Sequence, residues 1–143
     1  MDDAQKTRAL DAVSSFREAL NSGSCGLIYS RAGAYFQKDT SREWESDCED
    51  LRKEFGTWRG FDFHFAQRCA EPEVVVCIVG HADFEQKSAE VELAWLLDKG
   101  DTRLFWIALK RDEQRWVRIP LRPDLNRFHD GPMRKLSKVD SAS

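Results

Sequence analysis

The order of periodic segments along the chain predicts an α+β domain, with N-terminal helices packed on a curved, antiparallel five-stranded meander (a cone or roll). Apolar residues first recur at helical spacing, up to residue 55. From residue 58 to residue 121 the period changes to two, the spacing of a strand. Short connections, rather than further helices, join these strand-like runs, which is the pattern of an antiparallel meander.

Two helices are predicted in the first forty residues. The first spans residues 7–21 and ends at the polar segment 21–24. Its apolar face comprises Ala9, Ala12, Val13, Phe16, Ala19 and Leu20. The second is shorter, carries Ile28, Ala32, Tyr35 and Phe36, and either continues through Gly33 or breaks there.

The third helix has the clearest boundaries. Thr40 and Glu43 have the spacing of a capping box, in which a hydroxyl and a carboxylate each accept a hydrogen bond from an exposed backbone amide. The apolar residues Trp44, Cys48, Leu51 and Phe55 then form one stripe. Gly56 suits the left-handed position that ends many helices.

Five strand-like runs follow. Phe61, Phe63 and Phe65 alternate with polar residues, which predicts that they form the core face of the first strand. The remaining runs cover residues 74–84, 91–97, 104–109 and 116–119, with turns at 85–88, 99–101 and 111–114.

The composition is that of a slightly acidic globular protein. The 143 residues fit one domain, and five Trp and nine Phe supply enough apolar area for a core. The net charge of −3 argues against nucleic acid as a partner, because phosphate recognition needs a basic face. No apolar run approaches the roughly 18 residues of a membrane span, so no membrane partner is expected.

The cysteines Cys25, Cys48, Cys69 and Cys77 lack the spacing of a zinc site, so neither a metal nor a cofactor is expected. Cys48 falls on a helical stripe and Cys77 within an apolar strand, which favours reduced, buried cysteines, although an even number of cysteines also permits disulfides. The acidic N-terminus shows no signal peptide. The sequence as given therefore predicts a cytoplasmic protein, or a periplasmic or secreted one if a signal peptide was trimmed.

The chain is expected to divide into three parts. Residues 1–6 read as a flexible leader and residues 7–121 as a single cone-like domain. Residues 122–143 contain Pro123, Gly131, Pro132 and a Ser/Lys/Asp-rich end, which predicts an extended, mostly mobile tail.

Three stretches carry a resemblance to a known superfamily. They are Leu20-Asn21-Ser22-Gly23 with Ile28-Tyr29-Ser30 and Phe36; Ser41-Arg42-Glu43-Trp44 with Leu51-Arg52 and Phe55-Gly56; and Ala82-Asp83-Phe84-Glu85-Gln86-Lys87 with Val91-Glu92-Leu93 and Arg115-Trp116-Val117. Over residues 9–120 the chain resembles the cone proteins of the nuclear transport factor 2-like superfamily (SnoaL and ketosteroid isomerase-like), and especially its uncharacterised bacterial domains.

That resemblance implies a conical sheet with a pocket between its concave face and the N-terminal helices. It also implies a homodimer formed through the sheet, as in many members. Ketosteroid isomerase and scytalone dehydratase are enzymes of this superfamily. Neither the tyrosine–aspartate set of the first nor the aspartate–histidine set of the second matches residues here position by position.

Two histidine–aspartate pairs are the candidates for proton transfer. Asp62 and His64 lie two residues apart on one predicted strand, and His81 and Asp83 on the next, so each pair should share a face. A histidine beside a carboxylate can act as a general base. Because Phe61, Phe63 and Phe65 are predicted to face the core, an exposed polar face is the competing interpretation for Asp62 and His64.

Five aromatic residues are candidates for a pocket or an interface: Tyr29, Tyr35, Trp58, Trp95 and Trp106. Tyrosine hydroxyls often line pockets, and aromatic side chains on a sheet form a ligand site, a dimer face or plain core. Trp95 and Trp106 lie on adjacent predicted strands.

The sequence contains no nucleophile elbow and no glycine-rich phosphate loop, which argues against serine hydrolysis and nucleotide hydrolysis. We therefore expect a non-catalytic domain that binds a small apolar or amphipathic ligand or assembles with a protein partner. The alternative is a cofactor-free isomerase or dehydratase that uses His, Asp and Tyr for proton transfer in the cone pocket.

Overall fold

The computed structural model describes residues 1–112 and 115–120, and within them the predicted α+β meander is confirmed. The helices are α1 (Asp3–Asn21), α2 (Cys25–Arg31) and α3 (Ser41–Phe55), with a 3-10 turn at Phe36–Lys38. The strands are β1 (Trp58–Ala70), β2 (Val75–Phe84), β3 (Ser88–Asp98), β4 (Asp101–Asp112) and β5 (Arg115–Ile119). They form one antiparallel sheet in sequential order. The predicted tail at 122–143 lies outside the described residues.

Helix α1 begins earlier than the expected residue 7 because Asp2 caps it. The Asp2 carboxylate accepts a hydrogen bond of 2.8 Å from the Gln5 amide, and the Gln5 side chain accepts one from the Asp2 amide. Most of the predicted leader is therefore helical. In the described part of the chain, no helix is both long and apolar enough to span a bilayer.

Helix α2 ends before Gly33, which decides between the two alternatives for this segment. The Gly33 amide donates a hydrogen bond of 2.9 Å to the carbonyl of Leu104 on β4. Tyr35 and Phe36 consequently lie outside α2. The capping box of α3 is present as predicted, and Trp44, Cys48, Leu51 and Phe55 are all buried.

The helices cover one face of the sheet, called here the helix face. Its core includes Val13, Phe16, Leu20, Trp44, Leu51, Phe55, Trp58, Val76, Ile78, Leu93, Trp95, Leu104 and Ile107. The opposite face, called the second face, carries a smaller buried cluster of Ala70, Val75, Cys77, Ala94, Phe105, Trp106, Ala108 and Trp116. Each face of the central strands thus carries a buried apolar cluster.

The prediction that Phe61, Phe63 and Phe65 form one core face is wrong. Phe61 is half-buried, whereas Phe63 and Phe65 are 36% and 41% exposed. Phe63 pairs with Gly80 and Phe65 with Val79, so the register shifts at His64. Because adjacent residues of β2 point to opposite faces, this bulge also places Phe63 and Phe65 on opposite sides of the sheet.

The expectation of reduced cysteines is also wrong. Cys25 in α2 is bonded to Cys48 in α3, and Cys69 at the end of β1 is bonded to Cys77 in β2. The first disulfide joins two helices and the second joins the edge strand to its neighbour. Burial of Cys48 and Cys77 is correctly predicted, but spacing alone does not reveal which cysteines meet in space.

Candidate functional site

An open cleft of about 450 Å³ lies between the helices and the β3–β4 end of the sheet. Helix α1 contributes Arg8, Asp11, Ala12, Ser15, Phe16 and Ala19; α2 contributes Leu27, Ile28 and Arg31; and the β3–β4 hairpin contributes Trp95, Gly100, Thr102 and Leu104. Its size is typical of small-molecule sites, which measure roughly 300–1,000 Å³.

The floor of the cleft is formed by buried apolar side chains. Phe16, Ile28, Trp95 and Leu104 are each almost fully buried. The Phe16 and Trp95 rings meet edge to face with their centroids 6.4 Å apart. Trp95 also pairs across the strands with Leu104, so one side of the floor is held by the hairpin itself.

The rim of the cleft is polar and carries more positive than negative charge. Arg8 donates hydrogen bonds of 2.7 Å to the Asp101 carbonyl and 3.3 Å to the Thr102 hydroxyl, which tie α1 to β4. Arg31 and Asp11 are exposed at the same rim. The lining thus includes two guanidinium groups and one carboxylate.

Trp95, one of the residues that line the cleft, has a buried indole donor without a partner in the described part of the chain. Its side chain is 5% exposed, and its indole Nε1 has no hydrogen-bond partner among the described residues. By contrast, the indoles of Trp44, Trp58 and Trp106 each donate a hydrogen bond of 2.8 Å. A buried donor without an acceptor costs about 1–3 kcal/mol.

The predicted histidine–aspartate candidates do not line the cleft. Asp62 and His81 are cross-strand partners at the β1–β2 edge. His81 Nε2 lies 3.6 Å from Asp83 Oδ1, and both side chains are well exposed. His64 sits at the bulge of β1 and is also exposed. His81 and Asp83 thus lie close together, but on an open surface.

The five aromatic candidates separate into different surroundings. Tyr29 donates its hydroxyl to the carbonyls of Asp39 (2.7 Å) and Gln37 (3.2 Å), which fixes the segment before α3. Tyr35 stacks on Phe105 with the ring centroids 4.5 Å apart. Trp58 is buried in the helix-face core. Of the five candidates, Trp95 is the one at the cleft.

A register shift in β4 separates Trp95 from Trp106. Trp95 pairs with Leu104, whereas Ala94 pairs with Trp106, so Phe105 is an extra residue between the two pairs. Trp95 consequently faces the helices, and Trp106 faces the other way. Strict alternation along β4 could not predict this, because the bulge inverts the faces part way along the strand.

Two buried charged residues on the sheet, Glu92 and Arg118, were not identified from the sequence as functional candidates. Both pair with Ala108, from β3 and β5 respectively, and both are almost fully buried. Burial raises the pKa of Glu92 to about 7, against the lowering effects of the Trp106 hydrogen bond and the Arg118 charge. Ala94 and Leu96 lie on the same face of β3 as Glu92. These apolar neighbours were the signal in the sequence that this face of the strand is buried.

Among the residues that the structure describes, no group of three or more His, Cys, Asp and Glu side chains is arranged to hold a metal ion. Besides the Asp11 carboxylate, the cleft offers hydroxyls, guanidinium groups and an indole, which are hydrogen-bonding groups.

No known family model, curated protein or solved structure matches this chain.

Proposed function

We propose that this domain binds a small amphipathic molecule in the cleft between its helices and the β3–β4 hairpin. The observation that supports this proposal is an open cavity of about 450 Å³ whose floor is buried and apolar while its rim is charged. An apolar ligand body against Phe16, Ile28 and Leu104 would be removed from water, which stabilises the complex by roughly 25 cal/mol per Å² of buried apolar area.

Binding is favoured over the alternative of proton-transfer catalysis because of where the titratable groups lie. The cleft contains Arg8, Arg31 and Asp11, and the histidine candidates are elsewhere. The resemblance to the nuclear transport factor 2-like superfamily implies a pocket in the same place, between helices and sheet. Membership of that superfamily remains a prediction.

Two probes test the proposal, anilinonaphthalene sulfonate and decanoate. The first should bind the folded protein saturably with enhanced fluorescence, and the second should displace it and raise the Tm. Ala12→Leu, which adds side-chain volume inside the cleft, should weaken both interactions at least about tenfold, equivalent to 1.4 kcal/mol.

Ser14→Leu is the matched control, because Ser14 lies on the exposed side of α1 and does not line the cleft. It should leave both affinities unchanged. Absence of saturable binding by both probes, or equal binding by the Ala12→Leu and Ser14→Leu variants, would overturn the proposal.

A further inference from the structure

We propose that the chain's own C-terminal segment, residues 121–143, packs against the second face of the sheet and closes that face within a single molecule. This surface is distinct from the cleft, and the proposal does not depend on a ligand there. Three observations support it: the burial of the second face, the strand from which the segment continues, and the composition of the segment. A second copy of the chain on the same face is the competing occupant.

The half of the second face that lies on β3, β4 and β5 is closed to solvent. Glu92, Trp106 and Arg118, one on each of these strands, are at most 2% exposed. The helices pack on the other face, and among the described residues Tyr35 is the one apolar residue from outside the strands in the second-face cluster. A sheet buries a face only against another layer. Because this burial is that of a single chain, it favours a cover from the same molecule over a second copy.

The burial is one-sided, and it is greatest beside the strand from which the segment continues. One row of directly opposed residues crosses the sheet from β1 to β5: Phe65, Val79, Glu92, Ala108 and Arg118. Phe65 at the β1 end is 41% exposed, whereas Arg118 at the β5 end is 1% exposed. Strand β5 ends at Ile119, two residues before the segment begins. The segment therefore starts next to the half of the face that is covered.

The segment is long enough to form this cover. Adjacent strands lie roughly 4.8 Å apart, so β3, β4 and β5 together span about 10 Å between their axes. An extended chain advances roughly 3.3 Å per residue, so a few residues cross that distance and the others can follow the strands.

The composition of the segment also suits an apolar face on an acidic protein. Its apolar side chains are Leu121, Leu125, Phe128, Met133, Leu136 and Val139. It contains five basic residues against three acidic ones, whereas the whole chain has a net charge of −3. The charge of the segment is thus opposite to that of the rest of the molecule, which favours their contact. In this arrangement, assembly through the β3–β5 half of the face would first require release of the segment.

Hydrogen exchange of the indole N–H groups, followed by NMR on the whole chain, tests the cover. The double substitution Leu125→Asp/Phe128→Asp should release the segment, because carboxylates are costly to bury against apolar side chains. The indole of Trp106 should then exchange at least about tenfold faster. The indoles of Trp44 and Trp58 should keep their rates, since both lie in the helix-face core. An unchanged rate at Trp106 would overturn the proposal.

Ser137→Asp/Ser141→Asp is the matched control, because it adds the same charge to the segment without removing an apolar side chain. It should leave the exchange of Trp106 unchanged. An equal acceleration by both double substitutions would mean that charge alone, and not loss of apolar contact, exposes Trp106, and the proposed packing would be wrong.

Trypsin digestion tests the proposal on the native protein, without any substitution that could impair folding. The bond after Arg127 should be cleaved at least about tenfold more slowly in the native chain than in a synthetic peptide of residues 121–143, because a packed segment has to detach before it is cut. Equal cleavage rates would show that the segment is not packed on the protein.

Dilution distinguishes the two occupants. A cover from the same chain is independent of protein concentration, whereas a second copy dissociates by mass action. The exchange rate of the Trp106 indole in the native protein should therefore stay constant over about a hundredfold dilution. A rate that rises on dilution would identify a second copy as the occupant and overturn the proposal.

Discussion

Trp106 donates a hydrogen bond of 2.8 Å from its indole Nε1 to Oε1 of Glu92, and both side chains are buried on the sheet. Desolvation nevertheless dominates, and it raises the pKa of Glu92 to about 7 from an ordinary value of 4.5. The folded protein therefore binds a proton at Glu92 over a pH range in which the unfolded chain has released it.

This difference predicts a stability that depends on pH. Between about pH 4.5 and about pH 7 the folded state holds more protons at Glu92, so the free energy of unfolding falls as the pH rises. The loss attributable to this group is roughly 3 kcal/mol. The Gln side chain of Glu92→Gln cannot ionise, so the variant should lack this contribution to the pH dependence. The difference in unfolding free energy between native protein and variant should therefore change by roughly 3 kcal/mol across this pH range.

Urea denaturation of the native protein and of Glu92→Gln, at about pH 5 and about pH 8, measures this difference in unfolding free energy. Equal pH dependence in native protein and variant would show that Glu92 titrates alike in the folded and unfolded states.

Phe63 and Phe55 should respond very differently to truncation. Phe63 is 36% exposed beneath Lys6, whose Nζ lies 5.0 Å from the ring centroid, whereas Phe55 is 1% exposed. Phe63→Ala should cost less than about 1 kcal/mol, and Phe55→Ala about 3–5 kcal/mol. A loss of several kcal/mol for Phe63→Ala in urea denaturation would contradict the exposed position of this ring.

Gly80 should tolerate no side chain. A Cβ there would meet the Asp62 carbonyl and the ring of Phe61, which lies across β2 at this point. Gly80→Ala should therefore destabilise the fold by at least about 1–3 kcal/mol. Gly26 is a control in α2 with no atom near the added methyl group, and Gly26→Ala should stabilise by roughly 0.4–1 kcal/mol because it restricts the unfolded chain. The Tm of the two variants should move in opposite directions; movement in the same direction would contradict the close approach at Gly80.

The disulfide between Cys25 and Cys48 should contribute measurably to stability. Its residues are 23 positions apart, and closing a loop of that size restricts the unfolded chain by about 3 kcal/mol. The Cys25→Ala/Cys48→Ala double variant should lose about that much, and the corresponding Cys69/Cys77 variant somewhat less because its loop is shorter. Alkylation of denatured, unreduced protein should label no cysteine, and four labelled thiols would show that neither bond exists.

The sequence predicted the elements of this fold better than it predicted the surroundings of individual side chains. Periodicity located all three helices and the meander, and the capping box located the start of α3, because these signals are local. Single-residue bulges at His64 and Phe105 invert side-chain faces, and alternation alone does not reveal them.

The charged residues at the rim of the cleft were not predicted from the sequence. Trp95 was named as a pocket candidate, whereas Arg8 and Arg31 sit on helices where charged residues ordinarily face solvent. Their convergence depends on how α1 and α2 pack against the β3–β4 hairpin, which periodicity does not encode. Assembly through the sheet remains a prediction.

The most direct measurement of the central claim is the affinity for decanoate of the native protein, the Ala12→Leu variant and the Ser14→Leu variant, measured by displacement of anilinonaphthalene sulfonate. Binding in the cleft predicts that Ala12→Leu weakens the affinity at least about tenfold, while Ser14→Leu, which lies outside the cleft, leaves it unchanged. Equal affinities in all three proteins would contradict binding in this cleft.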